Sequence, residues 1–453
     1  MTDDARRQAV LEPPYRTVLK PYGHALVELA RQRPEIVCLS GDLTRQCEID
    51  LFQAAFPDRF IHAGMAESNM IGVAGALARS GLIPFVHTFG VFATRRPFDQ
   101  IVNAVAYPHL PVRIIGFMPG VSSPGGPSHQ AIEDVALMRA LPGMTIVDVA
   151  DATETAQVVA AIADLPGPVY LRLKRGEIPV IFPEDHHLSL DQAQVLVSGC
   201  DTTRRAAGSA GGGVTTGGGV TTGGGVTRGG AQTEGRGGTS GGGVSAGGAQ
   251  TEGGAETAGG AVSEGGAVTT GGGVTRGGAE TSGRGGTGGG TRSVADVEGQ
   301  VRAPEAIPGS DVVLLVSGMV VAPALAAARV LRSAGIATVV LNVPVIKPLD
   351  AATVLAAAAA TQTVITAENH STIGGLGSAV AEVLAEAALP RPLHRLGLND
   401  TYAEGARTPY YLFRKYGLST QHVVDAAWSA LHQPGSPPRS TSPPAAEGEY
   451  APV

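Results

Sequence analysis

Four stretches of the chain put chemically useful side chains just beyond apolar runs. Asp42 follows Ile36–Leu39 in the loop Ser40-Gly41-Asp42, and Glu67 opens the segment Glu67–Leu77. Thr88–Phe92 follows Ile83–His87, and Gly125-Gly126-Pro127-Ser128-His129-Gln130 is a Gly/Pro loop holding a single His. Open α/β sheets bind their ligands at such strand ends, so these loops together form one candidate site. Each residue also has a plainer reading. A Glu at the head of an Ala/Gly-rich helix complements the helix dipole, and a His in a Gly/Pro loop serves as a surface turn residue. The sequence has no Ser-His-Asp order, no HExxH and no P-loop. Cys38, Cys47 and Cys200 make neither a disulfide framework nor a CxxC metal pair, which fits a reducing cytoplasm.

The elements that must position these residues alternate regularly. Ile36–Leu39, Ile83–His87, Val112–Phe117, Thr145–Val149 and Val169–Leu173 read as strands. Glu67–Leu77, Pro97–Ala106, Ile132–Arg139 and Asp151–Ala163 read as helices, with Gly72 and Gly75 suited to close packing. Strands that are near-continuously apolar and separated by helices imply a parallel sheet covered on both faces. After residue 308 the pattern returns, with strands at Val312–Val316, Ala337–Asn342 and Gln362–Ala367. Helices follow at Ala322–Ala334, Ala351–Ala360 and Ala379–Ala387. The expected fold class is therefore α/β, with two doubly wound domains at residues 15–195 and 308–432.

Between them the composition changes abruptly. Of 64 glycines in 453 residues, 38 fall in residues 201–300, and the remaining 26 are an ordinary number for a globular chain of about 350 residues. GGGVTT recurs at Gly211–Thr216 and Gly217–Thr222, then continues in variants, and the segment holds no aromatic residue and no Leu, Ile or Met. Such a segment cannot bury enough surface to offset its ordering entropy. Residues 200–307 thus read as a flexible glycine-rich insert, with an ordered interaction surface as the second reading; the Pro/Ser-rich residues 433–453 read as a disordered tail. The net charge of −7 and the lack of a Lys/Arg stripe argue against nucleic acid. Residues 1–16 lack the apolar core of a signal peptide. The apolar stretch Val312–Leu331 is interrupted by Ser317, Gly318, Pro323 and Arg329, which favours a strand turning into a helix over a membrane span. A soluble, cytoplasmic protein is the expectation.

Taken together and in order, the loop residues resemble a known family. His62-Ala-Gly-Met65-Ala-Glu67-Ser-Asn-Met-Ile-Gly72, His87-Thr-Phe89-Gly-Val-Phe92, Gly126-Pro-Ser-His129-Gln and Arg172-Leu-Lys-Arg175-Gly are similar to the pyrimidine-binding domain of transketolases. Lys347-Pro-Leu-Asp350, Ala367-Glu368-Asn-His370 and Gly374-Gly-Leu-Gly-Ser-Ala-Val380 resemble the transketolase C-terminal domain. The resemblance implies thiamine diphosphate as cofactor. In that family a Glu beside N1′ of the aminopyrimidine favours the tautomer that takes the C2 proton, and Glu67 matches it. Phe89 and Phe92 match the aromatics against the pyrimidine ring, Met65 the apolar support of the bent cofactor, and Asp42 an acid near it. His129 matches the histidine that hydrogen-bonds the sugar, and Arg96 and Arg175 resemble the substrate-phosphate arginines, whose planar fork suits a phosphate. Structural ion pairs explain those two arginines equally well. The Gly374–Gly377 loop reads as a helix-opening turn.

The departures from the family pattern are informative. Gly125 stands where full-length transketolases carry an Asp, and Ala66 and Ser68 replace bulkier neighbours of the catalytic Glu, so ordinary pentose-phosphate substrates are not implied. No Gly-Asp-Gly motif for Mg²⁺ and the diphosphate occurs, and none of this chain's residues is read as a metal ligand. The first strand begins about 35 residues in, leaving no room upstream for a diphosphate domain. The expectation is the C-terminal (β) half of a split transketolase, paired with a companion N-terminal subunit that holds Mg²⁺, in an α2β2 assembly without nucleic acid or membrane. The alternatives are a 1-deoxyxylulose-5-phosphate synthase-like enzyme, a 2-oxoacid dehydrogenase E1 β-like enzyme and a non-catalytic assembly subunit.

Overall fold

The computed structural model describes residues 16–197 and 307–432, so the readings for the glycine-rich insert, Cys200 and the tail lie outside the described residues. Before the insert the strands are β1 (Thr17–Leu19), β2 (Ile36–Ser40), β3 (Phe60–His62), β4 (Ile83–Phe89), β5 (Arg113–Phe117), β6 (Thr145–Asp148), β7 (Val169–Leu173), β8 (Glu177–Pro179) and β9 (Gln194–Val197). After it come β10 (Ser310–Val316), β11 (Thr338–Asn342), β12 (Val345–Lys347), β13 (Thr361–Ser371) and β14 (Leu393–Leu398). One sheet runs β12-β6-β7-β5-β4-β2-β3 and a second β14-β13-β10-β11-β9. All their pairings are parallel except β12 on β6 and β9 on β11. β2, β5 and β7 are buried at every residue, and β10 at all but its first, as strands covered on both faces must be.

Each sheet has an apolar layer on both sides. Leu26, Phe117 and Val158 lie in the layer on one face of the first sheet, with Met70, Val105 and Met138 in the layer on the other. Gly75 lets the helix Glu67–Arg79 approach its neighbour, because a Cβ there would run into the Ala104 carbonyl. Gly72 faces open space instead and serves no such contact. The expected helix over 97–106 is α-helical only at Phe98–Gln100 and continues as a π-helical segment, Ile101–Ala106, with Tyr107 N–H reaching back to Val102 O. β10 ends at Val316 and the helix Val321–Ser333 follows, the strand-to-helix change expected of that apolar stretch. No helix among the described residues is long and apolar enough to cross a membrane.

The two sheets belong to one compact unit and exchange edge strands: β9 precedes the insert yet pairs with β11, while β12 follows it yet pairs with β6. Three- and four-residue strands of this kind carry no periodicity long enough to read from sequence. Between the sheets lies a buried polar network centred on Arg172. Its guanidinium donates to Asp134 Oδ2 (2.9 Å), Asp134 Oδ1 (3.2 Å), Asp148 Oδ2 (2.6 Å) and the Asn369 carbonyl on β13 (2.8 Å). All three charged side chains are at most 4% exposed. Burial works against the Arg172 charge, but the two carboxylates outweigh it and hold the guanidinium above its ordinary value. His370 joins the network: it accepts from Ala136 N–H through Nε2 (3.4 Å), so the proton on Nδ1 goes to the Ser371 carbonyl (2.7 Å). Arg172→Met should leave two buried carboxylates uncompensated and cost about 3–5 kcal/mol in urea unfolding; a loss below about 1 kcal/mol would contradict the role given to this network.

A second buried acid ties the start of the helix Pro21–Gln32 to the loop after β7. Glu48, 1% exposed and in the left-handed backbone region, accepts from Gly23 N–H (3.1 Å) and Gly176 N–H (3.3 Å). Burial pushes its carboxyl from 4.5 up to about 7, against the pull of those two N–H donors. A folded value above the unfolded one means the acid form is the better guest. The contribution is therefore fully present below pH 4.5 and declines as pH rises through 7, by on the order of 3 kcal/mol in all. In Glu48→Gln that decline between pH 4.5 and 8 should disappear from the stability–pH curve measured by denaturant unfolding.

Candidate active site

The loops at the carboxyl ends of β2, β4 and β5 gather most of the residues singled out from sequence. Glu67 is the first residue of the helix Glu67–Arg79, where its charge complements unsatisfied N–H groups, and it is only 4% exposed. A Cβ on Gly41 would reach Thr88 and Met70, so the loop after β2 lies at the same edge. Asp42 in that loop is exposed and has a φ of 128°, a strained conformation for a residue with a Cβ. Phe89 closes β4 and Phe92 lies one helical turn on; their rings are 6.2 Å apart and nearly parallel, at 15°.

Phe92 is the hub of the cluster. The Arg96 guanidinium lies 4.3 Å over its ring, and the His129 ring meets it edge-on at 5.4 Å. Arg96 Nη1 also donates to Glu67 Oε1 at 2.9 Å. The structure thus joins Glu67, Arg96, Phe92, Phe89 and His129 into one continuous group. Met65, 79% exposed, lies on the approach to the same helix start. Arg175 is half-buried after β7 and outside the contacts that join this group: its charge and that of Asp42 both reach Cys47, and the adjacent Gly176 bonds Glu48.

His129 is exposed, with Nδ1 2.9 Å from Ser128 Oγ, but its loop is clamped. Arg95 donates to the Pro127 carbonyl (3.1 Å) and the Gln130 carbonyl (3.0 Å) and pairs with Glu133 (2.8 Å). At the base, Asn369 Nδ2 donates to the Pro119 carbonyl (2.9 Å) and its Oδ1 accepts from Val121 N–H (2.8 Å). Sequence reasoning missed Arg95 and Asn369 as loop anchors, although Asn369 lay inside a motif it quoted. The Gly374–Gly377 loop holds no vacant anion cradle: the Glu368 carboxylate accepts from Leu376 N–H (2.6 Å) and Gly377 N–H (2.9 Å) at the start of the helix Leu376–Glu386.

The sequence profile of the transketolase pyrimidine binding domain matches residues 16–180, and that of the transketolase C-terminal domain matches residues 302–423. An uncharacterized transketolase family protein of Sinorhizobium fredii is 33% identical over 89% of this chain and 86% of its own length. The chain belongs to the transketolase family. A 6-deoxy-6-sulfo-D-fructose transketolase subunit of a Clostridium species is 32% identical over 90% of this chain and 92% of its own. Among solved structures, a split gene transketolase described as an inactive beta4 tetramer shares the fold with a TM-score of 0.62 and 33% identity, covering 91% of this chain and 97% of that one.

For a transketolase the cluster has a clear chemical fit at the pyrimidine end of thiamine diphosphate. A carboxyl held out of water can share a proton with a ring nitrogen, and two phenyl rings offer apolar faces to a flat heterocycle. Among the described residues no three His, Cys, Asp or Glu side chains group as metal ligands. At Gly125 the loop leaves little room for a side chain: a Cβ there would lie 2.8 Å from His129 Cβ and 3.0 Å from its Cγ. Gly125→Ala should therefore swing His129 away from Phe92. The measurement is the ring-current shift and the His129–Phe92 cross-peaks in NMR spectra, both of which should be lost.

Proposed function

We propose that this chain is the β-type, C-terminal half of a split transketolase that uses thiamine diphosphate to move a two-carbon ketol unit from a ketose to an aldose. The observation that carries the reading is Glu67, buried at a helix start and joined through Arg96 to Phe92 and His129 on an open edge of the sheet. When bound, the cofactor supplies a carbon nucleophile for the ketose carbonyl. Glu67 shares a proton with the pyrimidine ring, while Phe89, Phe92 and Met65 hold the ring, with Asp42 near it. His129, exposed beside Phe92, hydrogen-bonds the sugar. Arg96 and Arg175 serve the substrate's anionic end. Two relatives favour such an end by name, being named for sugars that bear sulfo and phosphate groups. One is the sulfo-sugar transketolase subunit. The other, an apulose-4-phosphate transketolase subunit of Phocaeicola vulgatus, is 34% identical over 42% of this chain and 61% of its own.

The diphosphate and Mg²⁺ are assigned to a companion subunit, in a cytoplasmic α2β2 assembly serving carbohydrate metabolism. Three things support that division: the missing Gly-Asp-Gly motif, the word subunit in two relatives' names, and the description of the related split-gene chain as inactive when it stands as a β tetramer. A deoxyxylulose-phosphate synthase reading is weaker. A synthase of a Synechococcus strain is 27% identical over 92% of this chain, which spans only 48% of its length.

Titrating the chain with thiamine diphosphate and Mg²⁺, alone and with its companion, tests the reading directly. Cofactor binding and turnover of a ketose phosphate in the pair alone are expected. In that pair Glu67→Ala should cut turnover by roughly 10³-fold, within the range for a lost proton-transfer partner, and leave the melting temperature nearly unchanged. Substantial residual turnover, or a stable pair that binds no cofactor, would point to a non-catalytic subunit.

A further inference from the structure

The His129 ring is exposed, bonds the neighbouring Ser128 hydroxyl and meets the edge of Phe92, so its direction depends on where the backbone of its loop is held. That backbone is held from the second domain as well as from Arg95. Gln130, 1% exposed, donates through Nε2 to the Ser123 carbonyl (3.0 Å) within the loop and to the Glu404 carbonyl (3.1 Å), 274 residues away. Beside it, Gly125 and Gly405 form an isolated antiparallel bridge, and Ala406 N–H donates to the Pro124 carbonyl at 2.9 Å.

The backing is rigid in its own right. Glu404 N–H donates to Tyr416 Oη (3.0 Å), and the Glu404 carboxylate accepts from Tyr411 Oη (2.8 Å) and Lys415 Nζ (2.7 Å). Ala403 is buried in the core with Leu412 and Phe413. Gln130 Oε1, meanwhile, is buried without a hydrogen-bond partner among the described residues. An orphaned buried acceptor destabilises a fold, and an apolar side chain of similar length would avoid the loss. What an apolar side chain could not supply is the pair of N–H donors that links the two domains across the loop.

We infer that the second-domain segment Thr401–Arg407 is a positioning element for His129, with Gln130 as the strut through which it acts. The inference rests on the transketolase reading above. Gln130 touches neither sugar nor cofactor in this scheme, so its loss should affect sugar handling and spare the cofactor. The test compares the chain with Gln130→Met and Gln130→Glu, each assembled with the companion. Because a misplacement of about 1 Å can cost 10²-fold, kcat/KM for a ketose phosphate should fall roughly 10–100-fold, while thiamine diphosphate affinity by calorimetry holds within about twofold.

Gln130→Glu should regain part of that loss, relative to wild type, as pH falls, because a protonated carboxyl again donates one hydrogen bond. In the chain without companion or cofactor, amides of residues 123–130 should exchange faster in Gln130→Met while those of β4, β5 and β7 do not. Unchanged kcat/KM in folded variants, unchanged amide exchange, or an equal loss of cofactor affinity would each overturn the inference. A wild-type pair that neither binds cofactor nor turns over would instead sink the transketolase reading, and the amide-exchange comparison would still decide whether the strut holds the loop.

Discussion

One buried cation sets the terms for the rest of the molecule. Arg172 stands between Asp134 and Asp148 with almost no access to water, and charges so placed are tolerable only if every hydrogen-bonding position is filled. The filling reaches into both sheets. Tyr170 donates to Asp134 (2.6 Å), Ser317 donates to Asp148 (3.3 Å), and Arg172 itself reaches the backbone of β13. The close approach dictates residue type around it. Gly318 has a positive φ and no room for a Cβ beside the Asp148 carboxylate, and Gly120 has a positive φ and no room beside Asn369.

From this junction the structure builds outward to the exposed site. Asn369, fixed by its carbonyl to Arg172, fixes Pro119 and Val121 in turn with its side chain. Those residues begin the loop that ends in His129, and Gly120 N–H closes the base of that loop on the Ala131 carbonyl at 2.8 Å. The buried charges therefore act on the site at a distance of several residues, through backbone held at both ends. An exposed imidazole can be well placed only if the segment beneath it has no freedom, and here the base and the tip of the loop are anchored by different elements.

Much of the architecture was legible because fully buried parallel strands are nearly continuous apolar runs, as in Val312–Val316 of β10 and, apart from Arg113 and Arg172, in β5 and β7, and because Glu67, Phe89, Phe92 and His129 sit in motifs with little ambiguity in combination. The illegible part has a common physical character. β1, β3, β8 and β12 are three residues long and take their conformation from a partner strand rather than from their own pattern. The bonds Gln130–Glu404 and Asn369–Val121 join residues 274 and 248 positions apart, and no local propensity encodes them. Glu368 was visible as part of a motif, but its role as the acceptor for the N–H groups of the Gly374–Gly377 turn depends on how β13 meets the next helix.

Glu67 and Arg96 illustrate how such a site can be both stable alone and ready for a ligand. Glu67 is buried and Arg96 is half-exposed, so the pair unites a costly charge with an inexpensive one. Once released, Arg96 is solvated again by water at its half-exposed guanidinium, so its side of the bond costs little to break. Freeing Glu67 without a replacement would leave a polar group buried and unsatisfied. The Arg96 bond occupies one of the carboxylate's lone-pair sites, so an incoming pyrimidine must either meet one of the others or supply a hydrogen bond as good as the one it displaces. That requirement selects a flat ligand with a nitrogen at its edge and an apolar face toward Phe92. A molecule offering only charge would find Glu67 already matched.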